Sequence, residues 1–413
     1  MINLKKLAIY LPQYHSIPEN DKAWGNGFTE WTNVKKAKPL FEDHSQPHVP
    51  HESVGYYDLN DPNVLINQAA VAREYGIHGF AFYHYWFNGK LLLNDPLNEM
   101  LKSGKPDFPF CYIWANENWT RRWDGANEDV IIKQEYSFED DLLHIQYLCE
   151  NVFNDKRYLT IDGKPVFLVY RTTYFQDIKK TQAMWRTEAK KYGFNDLYLV
   201  RVETAGKNVY PEDIDFDAAM EFAPDWSCTE QKKDKGTGTI LIDYPSTVFN
   251  MILKKRPYKY FHCVFPGWDN TPRRVNLTGT AFLNTNLNDF KSFLEIQMGS
   301  TVDKFKNPDE QILFINAWNE WGEGCHIEPD EKNGFQYLSI CKNAEAINVS
   351  KFENFCIDQI NSLRKRNEDI NREYEIQTRK YEHLLNTNAY KVGKSIITKF
   401  RYFKGAFKKK GSK

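Results

Sequence analysis

Two glutamates, Glu320 and Glu323, lie three residues apart in the segment NAWNEWGEGCHIEPD, residues 316–330. The segment follows the apolar run QILFI, which is typical of a buried strand. Splitting an acetal needs one protonated carboxyl to assist the leaving oxygen and one ionised carboxylate to act as base or nucleophile. Because two crowded carboxylates push their pKa values apart, one pair can supply both forms near neutral pH. We predict Glu323 to be the acid and Glu320 the base.

The elements that must position this pair are eight short runs rich in β-branched and aromatic residues. Segments between them, such as residues 61–76 and 138–153, carry apolar residues at i, i+3 and i+4, the spacing of an amphipathic helix. Eight alternations over about 340 residues favour an α/β fold, a (β/α)8 TIM barrel with long loops on its C-terminal, reactive face, over a doubly wound sheet. The predicted strands are residues 6–14, 76–86, 108–116, 165–171, 197–203, 218–224, 261–268 and 311–318.

Ten of the eleven tryptophans fall at or after the predicted strand ends, and only Trp185 falls in a predicted helix. Indole faces stack on the C–H faces of sugar rings, while polar side chains bond the hydroxyls. Any one of these residues is as typical of a loop anchor, but the collective pattern indicates a carbohydrate site. The predicted substrate-binding residues are Tyr10, His15, Trp31, Tyr83, His84, Trp86, Trp114, Asn116, Glu117, Trp119, Arg171, Glu221, Trp268, Trp318, Asn319 and Trp321.

Four segments carry a resemblance to a known family: LAIYLPQYHSIPENDKAWGNGFTEWTNV, GFAFYHYWFNGKLLL, WANENWTRRWDG and NAWNEWGEGCHIEPD. Over residues 4–345 the chain resembles the WbsX-type proteins of bacterial surface-polysaccharide gene clusters. These are similar in turn to glycoside hydrolase family 99, the endo-α-mannosidases and endo-α-mannanases. The resemblance implies a (β/α)8 barrel and a role in making or processing surface polysaccharide such as O-antigen, lipopolysaccharide or capsule.

The same resemblance implies a retaining mechanism without a protein nucleophile. One glutamate deprotonates the 2-hydroxyl of the sugar, which attacks C1 to give an anhydro sugar. A second glutamate three residues further on acts as acid and base. Glu320 and Glu323 match that spacing, and a mannose-configured glycan is the implied substrate.

Two other functions stay open at this point. WbsX-type proteins are commonly labelled glycosyltransferases, and DIDFD at residues 213–217 contains the Asp-x-Asp pattern with which nucleotide-sugar transferases hold a metal. That match is short, so chance explains it better. A non-catalytic glycan-binding scaffold is the third possibility, although binding alone would not require the Glu320 and Glu323 pair.

No metal and no cofactor are predicted. HSQPHVPH places His44, His48 and His51 close together, but Pro47 and Pro50 exclude the helix that would turn two histidines to one side. GTGT at residues 236–239 lacks the spacing of a phosphate-binding loop.

The C-terminal part differs in character from residues 1–350, the predicted catalytic barrel. Residues 351–387 repeat apolar positions at spacings of three and four, which predicts a helical coiled coil able to self-associate. Residues 388–413 mix aromatics with nine cations, which predicts an amphipathic tail able to bind an anionic membrane surface. Without those nine charges the formal net charge of −1 becomes −10 (−1 minus 9), so no nucleic-acid partner is expected.

The seven cysteines are odd in number, scattered and never spaced as CxxC, which favours a reducing compartment. The N-terminus has only a short apolar run, broken by Pro12, and no apolar stretch reaches 18 residues. The sequence therefore predicts a cytoplasmic protein without a signal peptide or membrane span, whose tail can lie on the inner face of the cytoplasmic membrane.

Overall fold

The structure is a computed structural model that describes residues 4–121, 126–204, 209–274, 279–347, 372 and 375–380. The chain divides into two compact units, residues 1–348 and 349–413. In the second unit the described residues are helical. The rest of the predicted coiled coil and the whole basic tail lie outside the described residues.

Eight parallel strands close into a barrel in the first unit. They are β1 Lys5–Tyr10, β2 Gly79–Phe87, β3 Phe110–Trp114, β4 Lys164–Val169, β5 Tyr198–Val202, β6 Ala218–Met220, β7 Tyr260–Val264 and β8 Ile312–Ile315. Neighbours along the chain pair in order, and β1 closes the barrel by pairing with both β2 and β8. Each predicted strand overlaps one of these, so the predicted (β/α)8 fold is confirmed.

The helices lie between the strands. In residues 4–347 they are α1 Pro18–Trp24, α2 Glu30–Val34, α3 Pro62–Glu74, α4 Asp95–Ser103, α5 Phe138–Asn151, α6 Ile178–Lys191, α7 Tyr244–Leu253, α8 Leu287–Lys304 and α9 Gln336–Asn343. The helical patterns in the sequence correspond to α3, α5, α6 and α8. Side chains at their N-termini, such as Asp61, Ser137 and Asn286, accept backbone N–H groups that would otherwise be unpaired.

The barrel core is apolar and aromatic. All nine residues of β2 are buried, as are all five of β3, because parallel strands are covered on both faces. Trp185 of α6 is fully buried, and its indole N–H donates to the carbonyl of Asp141 at 2.9 Å. The six cysteines of the described part of the chain are buried and free of disulfides. Within that part, no helix combines the length and the apolar character needed to cross a membrane.

Candidate active site

The loop after β8 folds into a tight hairpin that presents the two predicted catalytic residues. Asn319–Glu320 pairs antiparallel with Cys325–His326, and Trp321–Glu323 forms a 3-10 turn between them. Gly324 ends the turn at φ 56°, a conformation that favours glycine. A Cβ on Gly322 would overlap the Glu30 carboxylate, so a glycine is also needed here to let the hairpin backbone lie close to Glu30. This construction explains the glycines that flank Glu323.

Asn319 fixes the hairpin to the end of β1. Its side-chain oxygen accepts from the N–H of Leu11 at 2.8 Å, and its amide nitrogen donates to the Leu11 carbonyl at 3.0 Å. The Tyr14 hydroxyl donates to the Asn319 carbonyl. Asn319 was predicted to bind sugar, but its buried side chain holds two strand ends together in this structure.

Arg273 lies at the centre of the site and binds three carboxylates. Its Nη2 is 2.8 Å from Glu320 Oε2, its Nη1 is 2.5 Å from Glu323 Oε1, and its Nε is 2.7 Å from Glu30 Oε1. Glu30 comes from α2 and Arg273 from the loop after β7. One guanidinium therefore fixes the positions of Glu320 and Glu323 relative to each other.

Three carboxylates bind this one guanidinium, and their mutual repulsion in a buried place opposes the ionisation of all three. Burial, opposed by Arg273 and assisted by Glu323 and Glu30, raises the pKa of Glu320 to about 8. This shift favours the protonated form of Glu320 near neutral pH. A base has to be ionised, so the predicted role of Glu320 as the base requires it to lose this proton first.

A cavity of about 330 Å³ opens onto the pair at the C-terminal ends of the strands. This face carries the active site in (β/α)8 enzymes, and the volume fits a small ligand. Burial raises the pKa of Tyr83 and Tyr85 well above its ordinary value, so both keep their phenolic protons. The lining includes the predicted residues Tyr83, Glu117, Trp119, Glu320 and Glu323, together with Leu11, Gln13, Tyr85, Ala115, Asn118, Thr120, Tyr170, Asn270, Arg273 and Arg274.

The other predicted tryptophans lie mostly in the core. Trp114, Trp318 and Trp321 have at most 1% of their surface exposed. A side chain without exposed surface cannot stack on a sugar, so these indoles support loops in this conformation. Trp31 and Trp86 are also buried, and their indole N–H groups donate to the Tyr57 carbonyl and to Asp140. Trp268 lines a separate cavity of about 700 Å³.

Glu328, the third glutamate of the motif, binds neutral donors behind the hairpin. The indole N–H groups of Trp321 and Trp318 donate to it at 2.8 and 3.2 Å. Gln68 donates at 2.7 Å and Tyr57 at 3.0 Å. Burial raises the pKa of Glu328 to about 7, although these donors oppose the shift. Glu328 therefore holds Trp318 and Trp321 of this loop in place.

The remaining predicted residues also lie away from the cavity that contains the pair. Tyr10 donates to Gln68 at 2.6 Å, and His84 is 2.9 Å from His144. His15 is buried. Asn116 joins the ends of β3 and β4 by bonds to the backbone of Arg171. The Arg171 side chain lines a different cavity, and the buried Glu221 pairs with Arg256, which lines that same cavity.

The rejected motifs have structural roles. His44 is paired with Asp269 at 2.7 Å, and His48 lies 2.9 Å from His326. In DIDFD, Asp217 accepts from Arg186 at 2.8 Å and from the N–H of Leu199 at 2.8 Å. Asp217 therefore ties the start of β6 to β5 and α6.

Arg273 and Glu30 were missed in the sequence. Glu30 lies inside a segment that carries the family resemblance, and Arg273 lies a few residues beyond the predicted seventh strand. A cation at a strand end opposite a predicted acidic pair is a signal that could have been used. What the sequence does not show is that three separate loops converge on this one guanidinium.

The class that the fold defines is the closed (β/α)8 barrel, here with two glutamates at a cavity in its mouth. Residues 6–341 match the family described as Glycosyltransferase WbsX, and the chain belongs to that family. The resemblance drawn from the four sequence motifs is therefore confirmed.

The chain is also similar to curated and solved proteins. It is 39% identical over 346 residues to the uncharacterized protein WxcX of Xanthomonas campestris pv. campestris strain B100, covering 82% of this chain and 49% of that protein. A WxcX protein of a second strain is 38% identical over the same length. The chain thus spans about half the length of the curated relatives it matches.

Among solved structures, a glycoside hydrolase-like protein shares 15% identity at a TM-score of 0.52 and covers 83% of this chain and 94% of its own. A GH99 endo-alpha-mannosidase from Bacteroides thetaiotaomicron shares 15% identity at a TM-score of 0.49, covering 84% and 97%. The first of these shows the shared barrel fold.

Proposed function

We propose that the protein is an enzyme that cleaves or transfers glycosidic bonds with Glu320 and Glu323. The observation that carries the proposal is the Arg273 bridge, which fixes both carboxylates at the wall of a cavity on the C-terminal face of the barrel. The mechanism needs Glu320 ionised and Glu323 protonated, so Glu320, whose pKa is raised, has to give up its proton before the first step.

The proposed mechanism retains the anomeric configuration. Ionised Glu320 takes the proton of the sugar 2-hydroxyl, O2 attacks C1, and Glu323 gives its proton to the leaving oxygen, which leaves a 1,2-anhydro sugar. In the second step Glu323 takes a proton from water or from a sugar hydroxyl, the new oxygen attacks C1 as the C1–O2 bond breaks, and Glu320 returns a proton to O2. Glu323 reaches the leaving oxygen more easily, since its side chain is 20% exposed and that of Glu320 is 7%.

The proposed substrate is an oligo- or polysaccharide of a bacterial surface, with a mannose-configured residue at the reactive centre. The family is described as a glycosyltransferase family, and a solved structure of similar fold is a glycoside hydrolase-like protein. These descriptions agree on carbohydrate and differ on the direction of the reaction.

A product assay on surface oligosaccharides, with and without nucleotide sugars, tests the proposal. We expect glycan products without any nucleotide sugar and loss of these products in Glu320→Gln and Glu323→Gln. Lys233→Gln, a change on an exposed strand outside the cavity, serves as the control. Wild-type turnover in both glutamine variants would contradict the catalytic role of the pair, whereas glycan binding without any product would favour a glycan-binding scaffold.

A nucleotide-sugar-dependent glycosyltransferase is the alternative, and the description of the family favours it. In that case DIDFD would hold a divalent metal. We expect no manganese-dependent binding of a nucleoside diphosphate in calorimetry, since Asp217 is already bonded to Arg186. Micromolar binding that Asp215→Ala abolishes would establish the alternative.

For the location we propose the cytoplasm, with the coiled coil joining chains and the basic tail binding the inner face of the membrane. Each cation near anionic lipid contributes about 1 kcal/mol, and the interleaved aromatics can enter the interface. The full chain should pellet with anionic vesicles at low salt, less so at high salt, and truncation after Asn386 should abolish pelleting. Equal pelleting of both forms would exclude membrane binding by the tail.

A further inference from the structure

A second cavity, of about 520 Å³, lies next to the one that contains the glutamate pair. Tyr170, at the end of β4, lines both cavities. The neighbouring Arg171 lines the second cavity and pairs at 2.7 Å with Glu117, which lines the first. The cations that line the second cavity are Arg171, Arg201, Lys254, Lys255 and Arg256, and the carboxylates are Glu203 and Asp225.

Most of these charges are paired within the protein. Arg256 binds Glu203 at 2.6 Å, Glu221 at 2.8 Å and Asp225 at 3.0 Å. Lys254 also binds Asp225, at 2.5 Å. These contacts occupy Arg256 and Lys254. Arg201 is attracted by Glu203 and bonded to Tyr258 but forms no ion pair with a described residue, so Arg201 and Lys255 are the cations able to bind a ligand.

Arg201 of β5 is a buried cation with a free donor. Only 5% of its surface is exposed, and burial lowers its pKa. Its Nη1 donates to the Val209 carbonyl, whereas its Nε has no hydrogen-bond partner in the described part of the chain. A buried donor without an acceptor is costly, and more so on a charged group. The guanidinium therefore favours the entry of an acceptor, above all an anion.

Lys255 supplies a second cation at the rim. It is exposed and makes no ion pair with any described residue. A planar guanidinium inside the cavity and an exposed ammonium at its rim are both groups that bind carboxylates and phosphates in proteins.

We infer that this cavity is an oxyanion subsite for a carboxylate or phosphate carried by the substrate. The inference rests on the proposed function, since a glycan in the catalytic cavity would place its next unit across Tyr170. The oxyanion would accept from the Arg201 guanidinium and from Lys255. The enzyme would thereby select glycans, or activated donors, that are charged one unit away from the cleaved bond.

Calorimetry on the full chain without added metal tests this inference with three probes: inorganic phosphate, methyl glucuronide and uridine diphosphate. We expect at least one to bind. Arg201→Lys keeps the positive charge but loses the planar set of N–H donors of the guanidinium, so it should weaken that binding about tenfold. Lys255→Gln should weaken it several-fold, and Lys233→Gln should leave it unchanged. Binding of the glucuronide alone would identify a carboxylate ligand, and binding of phosphate or the nucleotide would identify a phosphate.

The inference is wrong if none of the probes binds, or if the Arg201 and Lys255 variants bind as the wild type does. Its failure can be told apart from that of the proposed function. Glu320→Gln and Glu323→Gln should bind the oxyanion normally while losing turnover. Oxyanion binding in a protein whose glutamine variants keep full turnover would overturn the proposed chemistry and leave this subsite in place.

Discussion

Glu320 and Glu328 lie eight residues apart in the same loop, and both are buried carboxylates with raised pKa values, about 8 and about 7. Their surroundings differ. Glu328 is enclosed by two indoles, an amide and a phenol, and no cation of the described residues is bonded to it. Glu320 faces a cavity and shares Arg273 with Glu323. Burial alone thus raises a carboxyl pKa, and access to a cavity beside a second carboxylate is what distinguishes a candidate catalytic group.

The largest expected effect is a loss of turnover in variants of the pair, and it separates the role of Glu323 from that of Glu320. Glu323→Gln keeps the shape of the side chain but removes the acid, so turnover of an unactivated glycoside should fall by a factor of about 10² or more. A substrate with a good leaving group should lose less, since it needs no protonation. Glu320→Gln should lose activity on both substrates. Equal losses on both substrates for Glu323→Gln would contradict its role as the acid.

A substitution of Arg273 tests whether the shared cation positions Glu320 and Glu323 for the reaction. Arg273→Lys keeps one positive charge but cannot bind Glu30, Glu320 and Glu323 at once, so we expect turnover to fall about tenfold. Arg73→Lys on α3, the same change outside the cavity, is the control. Steady-state kinetics on one verified substrate measures both. Unchanged turnover in Arg273→Lys would show that the bridge does not position the pair.

The sequence predicted the barrel and the acidic pair because both are local patterns. Each strand is a continuous apolar run, and Glu320 and Glu323 are three residues apart at the end of one of them. The Arg273 bridge joins loops after β7 and β8 to α2, a contact between residues far apart in the chain. The roles of Trp318 and Trp321 could not be predicted either, because a loop motif does not show whether a tryptophan side chain faces a sugar or Glu328.

The pH dependence of kcat/KM sharpens the comparison further. It reports groups of the free enzyme, in which Glu320 has a pKa of about 8. The mechanism needs one proton on the pair, on Glu323 while Glu320 is ionised, so kcat/KM should fall as pH rises through about 8, where that last proton is lost. Glu320→Gln should shift or abolish this fall in any residual activity. A kcat/KM that instead rises through pH 8 and then levels off would show that the reaction needs no acid from the pair, and would contradict the role of Glu323.

The smallest expected effect is on Glu328, whose replacement should affect stability more than turnover. In Glu328→Gln an amide N–H₂ replaces one acceptor oxygen and faces donors such as the Trp321 indole, so the free energy of unfolding should fall by about 1–3 kcal/mol. Glu99→Gln on the exposed side of α4 is the control. Turnover of folded Glu328→Gln should stay much closer to the wild type than that of Glu323→Gln.

The contribution of Glu328 to the free energy of unfolding should depend on pH, and the direction of that dependence follows from its burial. The pKa of Glu328 is raised in the folded state, so the folded protein binds the proton more tightly than the unfolded chain does. The contribution of this group to stability is therefore greatest at low pH and is lost as pH rises from the ordinary carboxyl pKa of about 4.3 to about 7. A glutamine does not titrate, so denaturant unfolding should show a larger gap between wild type and Glu328→Gln at pH 5 than at pH 8. A gap that widens with rising pH would mean that the ionised carboxylate is the form the four donors stabilise, and the contrast with Glu320 would then rest on the cavity alone.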